Sequence, residues 1–142
     1  MEYLQLISFS HEKAPVNVRE RFHLNEAETI RLFQSLQEVL GLQEALILST
    51  CNRTEIYYSS EVTPSEQVIS LLCLEKGIVL TDEIRNCVEI FENRADAVHH
   101  LFRVAMGLES KVVGDLQINN QVKKAYRMSA EAKMAGPILH RL

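Results

Sequence analysis

The sequence predicts an α+β fold, a ferredoxin-like split βαβ sandwich of order βαββαβ followed by additional C-terminal helices. Two observations lead to this prediction. Short apolar runs bounded by polar residues indicate four strands, and longer segments with apolar residues at helical spacing indicate a helix after the first strand and another after the third. Such an antiparallel sheet carries both helices on one face. We therefore expect a later part of the chain to cover the other face.

The first half of the chain contains three of the predicted strands. Pro15, which fixes its own φ angle, lies in the loop after the first strand. Asn25 is a favourable N-cap for the helix that follows, and Gly41 is a favourable residue at which to end it. The predicted elements are strands at residues 3–10, 45–48 and 54–58, a short helical turn at 18–22 and a helix between Asn25 and Gly41.

The second half contains the fourth strand and three helices. Pro64 and Glu66 are typical of the first turn of a helix. Gly136 and Pro137 are expected to break the last helix. The predicted elements are a helix from residue 63 with a buried face at Val68, Ile69, Leu71, Leu72 and Leu74, a strand at 87–91, a helix opening at Asn93 that ends or kinks at Gly107, and a helix that Asp115 caps and that runs to about residue 134.

The composition indicates one globular domain, with 142 residues of which 46% are apolar and 24% charged. A net charge of −4 argues against a strongly basic nucleic-acid-binding surface, although a local basic groove is compatible with it. No apolar run reaches the roughly 18 residues of a membrane span, and the first residues do not resemble a signal peptide.

The three cysteines have no paired spacing, which favours a reducing, cytoplasmic location. The five histidines form no zinc motif, so no metal is predicted.

Cys51 is the candidate nucleophile, since it lies between two predicted strands with Arg53 two residues further on. A guanidinium beside a thiol can favour the thiolate, which is the nucleophilic form. The alternative is that Cys51 is a small core residue, as most free cysteines are. Cys73 falls in an apolar helix and Cys87 in a short strand, so both are interpreted as packing residues.

Polar residues of the last helix form a second candidate group. Gln117 and Gln121 are spaced to project from one face of that helix, and Asp115 lies near its start. With Ser110 and Arg53 they could cradle a zwitterionic small molecule, although an ordinary solvated helix face has the same pattern.

Two adjacent histidines, His99 and His100, point about 100° apart on a helix, so they are not expected to act as a joint ligand. Either one could instead be a surface or half-buried histidine.

Four motifs occur in a fixed order along the chain. They are SHEKAPV at residues 10–16 with Arg19 and Glu20, LSTCNRTEIY at 48–57, HLFRVA with GLES between 100 and 110, and GDLQI at 114–118 with QVK at 121–123 and AY at 125–126. Together they resemble glutamyl-tRNA reductase, the first enzyme of the five-carbon route to tetrapyrroles such as porphyrins. The resemblance spans nearly the whole chain. Met106, Glu109 and the Asp115–Leu116 pair depart from the family pattern.

The resemblance implies a reaction and a set of site residues. The thiol matching Cys51 attacks the ester of glutamyl-tRNA and forms a glutamyl thioester, which NADPH reduces to glutamate-1-semialdehyde. His100 matches a histidine important for activity, to which we assign proton transfer or orientation near the reacting carbonyl. The implied substrate-binding residues are Thr50, Asn52, Arg53, Ser110, Asp115, Leu116, Gln117 and Gln121. Among them, Arg53 is suited to hold a substrate carboxylate.

The same resemblance implies which parts of the enzyme this chain provides. No GxGxxG turn occurs in the sequence, so no NADPH site is expected in it. Residues 1–142 are accordingly interpreted as the N-terminal catalytic domain, without the NADPH-binding and dimerisation domains. The partners implied are glutamyl-tRNA(Glu), a second subunit in a homodimer, and glutamate-1-semialdehyde aminomutase as recipient of the product.

Two other functions are compatible with the predicted fold. A ferredoxin-like sheet can present a face to RNA, so the chain could be a non-enzymatic RNA-binding module. It could also be a regulatory domain that senses a metal or heme through Cys51 and a histidine.

Overall fold

A computed structural model describes residues 3–106 and 116–140 of the chain. The elements in order are β1 (Leu4–Ser10), α1 (Val16–Phe22), α2 (Glu26–Leu40), β2 (Ala45–Ser49), β3 (Arg53–Ser59), α3 (Ser65–Lys76), α4 (Asp82–Arg85), β4 (Glu89–Phe91), α5 (Arg94–Ala105), α6 (Leu116–Glu131) and α7 (Pro137–His140).

The four strands form one sheet in the order β2-β3-β1-β4, and each neighbouring pair is antiparallel. This is the order of a βαββαβ sandwich, so the predicted fold class is confirmed. The register places Ser8 opposite Glu55 and Ser10 opposite Arg53. Polar residues of β1 and β3 therefore meet at one end of the two central strands.

Each face of the sheet has its own apolar core. On one face, Ile7, Phe9, Ile47 and Ile56 pack with buried residues of α1 to α4. On the other, strand residues that include Leu6 and Tyr57 pack against α5, α6 and α7. The expectation that a later part of the chain covers the second face is confirmed.

Helix α2 begins and ends at the predicted residues. The Glu28 amide donates to Oδ1 of Asn25 at 2.8 Å, and the Asn25 amide donates to Oε1 of Glu28 at 3.0 Å, which forms a capping box. Gly41 follows with a left-handed φ of 65°, a conformation that glycine adopts without steric cost.

The fourth strand is shorter than predicted. Strand β4 pairs only over Glu89–Phe91, because the amides of Cys87 and Val88 donate back to the carbonyls of Ile84 and Arg85 at 2.9 and 3.3 Å. These bonds extend the turn after α4, a four-residue helix that the sequence interpretation does not include.

Two further expectations are wrong in detail. Leu74 was expected on the buried face of α3 but is 76% exposed. It follows buried Leu72 by two residues, or about 200° around a helix, so the two cannot share a face. Helix α6 ends at Glu131 rather than near residue 134, and Lys133 adopts a left-handed φ of 59°.

The segment after α6 docks on the start of β2 through Glu44. Oε1 of Glu44 accepts from the amides of Gly136, Ile138 and Leu139 at 3.0, 3.0 and 3.1 Å. The Ala45 amide also donates to the carbonyl of Met134 at 2.9 Å. One buried carboxylate thus fixes the position of α7 relative to the sheet.

None of the helices within the described ranges combines the length and apolar character required to cross a membrane.

Candidate functional site

Cys51 lies in the tight turn between β2 and β3, and its side chain is exposed. The Thr50 amide donates to the carbonyl of Arg53 at 2.7 Å and closes the turn. The Asn52 amide donates to Oγ1 of Thr50 at 3.1 Å. The alternative that Cys51 is a small core residue is therefore wrong, whereas Cys73 and Cys87 are buried as predicted.

An open cleft of about 490 Å³ lies beside the thiol. Helix α1 forms one wall and the turn that carries Cys51 forms the other. The Asn52 carbonyl accepts from the His11 amide at 3.1 Å, and Oδ1 of Asn52 is 3.5 Å from Nη1 of Arg19. These contacts join the motif at residues 10–20 to the motif at 48–57. The lining residues are Val16, Arg19, Glu20, His23, Thr50, Cys51 and Asn52.

A buried polar network lies on the side of the sheet covered by α5, centred on the carboxylate of Glu55. Its Oε2 accepts from Oγ of Ser8 at 2.6 Å and lies 2.6 Å from Nε2 of His100. Nη1 of Arg53 donates to the same oxygen at 3.4 Å. Oε1 accepts from the Tyr57 hydroxyl at 2.9 Å. One carboxylate therefore binds both the arginine and the histidine that were predicted as site residues.

The surroundings of Glu55 stabilise its ionised form. Burial acts most strongly on the pKa of this carboxyl and would raise it. The hydrogen bond and charge of His100, the charge of Arg53 and the hydrogen bond from Ser8 act in the opposite direction and together lower the pKa below its ordinary value of 4.5. The network therefore contains an anion at neutral pH.

Gln121 lies in a smaller cleft of about 160 Å³ between α2, the end of β2 and α6. Ser49 lines this cleft, and its Oγ is 3.3 Å from Nδ1 of His23, which lines the cleft beside Cys51. The two clefts are thus neighbours on either side of the end of β2.

The other predicted site residues are placed as follows. Arg53 is only 2% exposed and contacts Glu55, and His100 is 8% exposed. Neighbouring His99 is exposed, so the prediction that the two histidines diverge is confirmed. Ser110 and Asp115 lie outside the described residues. The side chains of Leu116 and Gln117, which begin α6, also lie outside the described part of the structure.

Glu55, Arg19 and His23 are among the residues of these clefts and of the network that were not predicted as site residues. Glu55 could have been predicted from the sequence. Successive side chains of a strand point to opposite faces of the sheet, so Glu55 lies on the same face of β3 as Arg53. A buried carboxylate requires a partner of this kind. Arg19 lies in the first motif but carried no assigned role. His23 had no signal in the sequence, since its approach to Ser49 depends on how α1 packs on the sheet.

In residues 3–106 and 116–140, no group of three His, Cys, Asp or Glu side chains is placed to hold a metal ion.

The fold and site define a class of protein, a ferredoxin-like α+β domain with both sheet faces covered and an exposed thiol at a hairpin turn. The family model for the N-terminal domain of glutamyl-tRNA(Glu) reductase matches residues 7–142. The chain belongs to this family.

Curated relatives and a solved structure agree with this assignment. The glutamyl-tRNA reductase of Cytophaga hutchinsonii is 52% identical over 136 residues, which are 96% of this chain and 32% of that protein. The glutamyl-tRNA reductase of Rubrobacter xylanophilus is 39% identical over 98% of this chain and 32% of its own length. The solved structure of glutamyl-tRNA reductase from Methanopyrus kandleri superposes with a TM-score of 0.76 at 33% identity, covering 98% of this chain and 31% of that one. This chain therefore spans about a third of the length of these proteins.

Proposed function

We propose that residues 1–142 form the catalytic domain of a glutamyl-tRNA reductase and that Cys51 is its nucleophile. One observation carries the proposal. The exposed thiol of Cys51 opens onto a cleft whose two walls are the first and second family motifs. A cleft of this size is typical of small-ligand sites, whose volumes run from about 300 to 1,000 Å³.

The proposed step is acyl transfer to sulfur. The Cys51 thiolate forms a bond to the ester carbonyl carbon of glutamyl-tRNA, and the bond from that carbon to the ribose oxygen breaks. The RNA leaves and takes up a proton on this oxygen, while a glutamyl thioester remains on the protein. A thiolate suits both halves of such a reaction, since it is a strong nucleophile and later a good leaving group.

His100 is held in the buried network on the side of the sheet covered by α5. Glu55 lies 2.6 Å from Nε2 of His100 and thereby orients the imidazole. We assign His100 to proton transfer or orientation at the carbonyl. The arrangement resembles other sites in which a carboxylate fixes the orientation of a catalytic histidine.

The remaining proposed residues bind the glutamyl group. Thr50 and Asn52 line the cleft of Cys51, and Gln121 lines the neighbouring cleft. Arg53, which is buried beside Glu55, is assigned to the substrate carboxylate on the family motif. The proposal also includes Ser110, Asp115, Leu116 and Gln117, on the family motifs alone.

The hydride for reduction to glutamate-1-semialdehyde is proposed to come from NADPH bound outside this chain. A dinucleotide fold binds phosphate at a glycine turn between a strand and a helix. The described glycines have other positions, because Gly41 and Gly77 end helices and Gly136 lies against Glu44. These residues do not fit the cofactor, so we assign no step of the reduction to this chain.

The proposed partners follow from the family. They are glutamyl-tRNA(Glu) as substrate, a second subunit in a homodimer formed through another domain, and glutamate-1-semialdehyde aminomutase as recipient of the product. The unpaired state of all three cysteines supports a reducing, cytoplasmic location.

A non-enzymatic RNA-binding module is disfavoured by the packing of the sheet. Such modules stack bases on an open sheet face. Here one face is covered by α1 to α4 and the other by α5 to α7.

The proposal is tested by incubating the chain with glutamyl-tRNA and NADPH and measuring released RNA and semialdehyde separately. We expect the RNA to be released by the wild type and by Cys73→Ser, but not by Cys51→Ala. We expect no semialdehyde from the chain alone. Release that does not depend on Cys51 would contradict the proposed nucleophile, and formation of semialdehyde would contradict an external NADPH site.

A further inference from the structure

Arg19 is a buried cation at the edge of the Cys51 cleft. It lies in the last turn of α1, is 6% exposed, and lines the cleft together with Cys51. Its Nε is buried and has no hydrogen-bond partner among the described residues. Within that part of the chain, Nη1 reaches the neutral Oδ1 of Asn52 at 3.5 Å.

No carboxylate of the described residues forms an ion pair with Arg19. Glu20 lines the same cleft, but it is exposed to solvent and is not paired with Arg19. Arg53, another buried guanidinium, has the ionised carboxylate of Glu55 beside it. The two arginines thus differ in whether the described residues supply a counter-charge.

A guanidinium remains charged at any physiological pH, and burial of an unpaired charge is costly. Its forked array of N–H groups matches a carboxylate or a phosphate, which can accept two parallel hydrogen bonds. An anionic group in the cleft would balance the charge of the guanidinium. The bound anion would then lie in the same cleft as the Cys51 thiol.

We propose that Arg19 is the anion-binding residue of the Cys51 cleft. The anion is either a phosphate of the RNA acceptor end or the side-chain carboxylate of the glutamyl group, and both present the same oxygen chemistry to the guanidinium. In the second case Arg19, rather than Arg53, binds the single free carboxylate of the substrate. The identity of the ligand rests on the proposed function, whereas the anion site itself does not. Arg19 would therefore position the acyl ester for attack by Cys51.

The first experiment measures protection of Cys51 from a neutral alkylating agent, iodoacetamide, by mass spectrometry at constant ionic strength. Cys73 and Cys87 are buried, so Cys51 is the reacting thiol. We expect glutarate or inorganic phosphate to slow alkylation saturably and the uncharged glutaramide to have no effect. If neither anion slows alkylation of the wild type, the proposal is overturned.

Variants then assign the protection to Arg19. For each variant, the rate of Cys51 alkylation with the anion is divided by the rate without it. This ratio is not affected by a change in the reactivity of the thiol itself. We expect Arg19→Met to abolish protection and Arg19→Lys to weaken anion binding by about tenfold, because one point charge replaces two charge-assisted hydrogen bonds. Arg85→Met, at an exposed ion pair with Glu66, is the control and should retain protection. Retained protection in Arg19→Met contradicts the proposal, and if that variant does not fold, full protection in Arg19→Lys contradicts it equally.

The source of the anion is identified with two esters, glutamyl-tRNA and glutamyl-adenosine, of which the second has no phosphate. If Arg19→Lys raises KM for both, the ligand is the glutamyl carboxylate, and the assignment of that carboxylate to Arg53 is overturned. If it raises KM for the RNA ester alone, the ligand is a phosphate. If the wild type cleaves neither ester but anions still protect Cys51 through Arg19, the proposed function fails while the anion site stands.

Discussion

Nε2 of His100 on α5 lies 2.6 Å from Oε2 of Glu55 on β3, and the same oxygen accepts a hydrogen bond from Arg53. This contact connects a helix that covers the second sheet face to the strand that follows Cys51. Both partners are buried, and the carboxylate binds Nε2 of an imidazole whose ring also packs against Phe91, with 5.1 Å between the ring centroids. Glu55 is therefore a positioning residue for two of the proposed site residues.

Replacing Glu55 should destabilise the fold strongly. In Glu55→Gln the buried guanidinium of Arg53 loses its charged partner within the network, and removal of one member of a buried ion pair typically costs about 3–5 kcal/mol. The free energy of unfolding measured in urea tests this. Glu66→Gln, which breaks the exposed pair with Arg85, is the control and should cost less than about 1 kcal/mol. Equal, small losses in both variants would show that the network does not stabilise the fold.

The contribution of Glu55 should depend on pH. Its pKa is lower in the folded chain than the ordinary value of 4.5, so the ionised carboxyl favours folding. The stabilisation is fully present above that value and is lost as pH falls through the lower folded-state pKa. We expect the difference in unfolding free energy between wild type and Glu55→Gln to shrink across this acidic range. A difference that stays constant or grows with acidification contradicts the assignment.

The two adjacent histidines provide a matched pair of variants. We expect His100→Gln to lower the rate of glutamyl-tRNA cleavage by about a hundredfold, the lower end of the contribution of a positioned acid or base. His99→Gln should leave the rate unchanged, because His99 is exposed and points away from the network. The pH–rate profile separates proton transfer from orientation, since only proton transfer should remove a limb of the profile. Equal rates in the two variants would exclude a role for His100.

Gly136 is expected to be intolerant of a side chain. A Cβ at this position would lie 2.7 Å from Cδ and 2.9 Å from Cγ of Glu44, the residue that holds α7. Overpacking of this kind costs about 1–3 kcal/mol, which thermal or urea unfolding of Gly136→Ala should detect. In a Glu44→Ala background the clashing atoms are absent, so Gly136→Ala should lower the free energy of unfolding by less than it does in the wild type. If it lowers this free energy by the same amount in both backgrounds, the clash with Glu44 is not the cause.

The fold was largely predictable because its determinants are local. Apolar periodicity defined the order of strands and helices, and the cap at Asn25 and the stop at Gly41 defined α2. The predictions that were wrong concern the ends of elements, which depend on turns and on tertiary packing. The amides of Cys87 and Val88 bond to the turn after α4 and shorten β4.

The candidate site was predictable only in part. The motif around Cys51 identified the thiol, but its exposure follows from the hairpin turn between β2 and β3. The contact between His100 and Glu55 joins residues 45 positions apart and requires the packing of α5 on the sheet. Likewise, that no described carboxylate pairs with Arg19 becomes visible only when the side chains around it are placed.

Trapping the acyl intermediate tests the central claim most directly. The chain is mixed with glutamyl-tRNA, quenched in acid, and analysed by intact mass and peptide mapping. We predict a mass gain of one glutamyl group on Cys51, removed by hydroxylamine, absent from Cys51→Ala and retained in Cys73→Ser. Release of RNA by the wild type without this adduct, or an adduct that persists in Cys51→Ala, would contradict the assignment of Cys51 as the nucleophile.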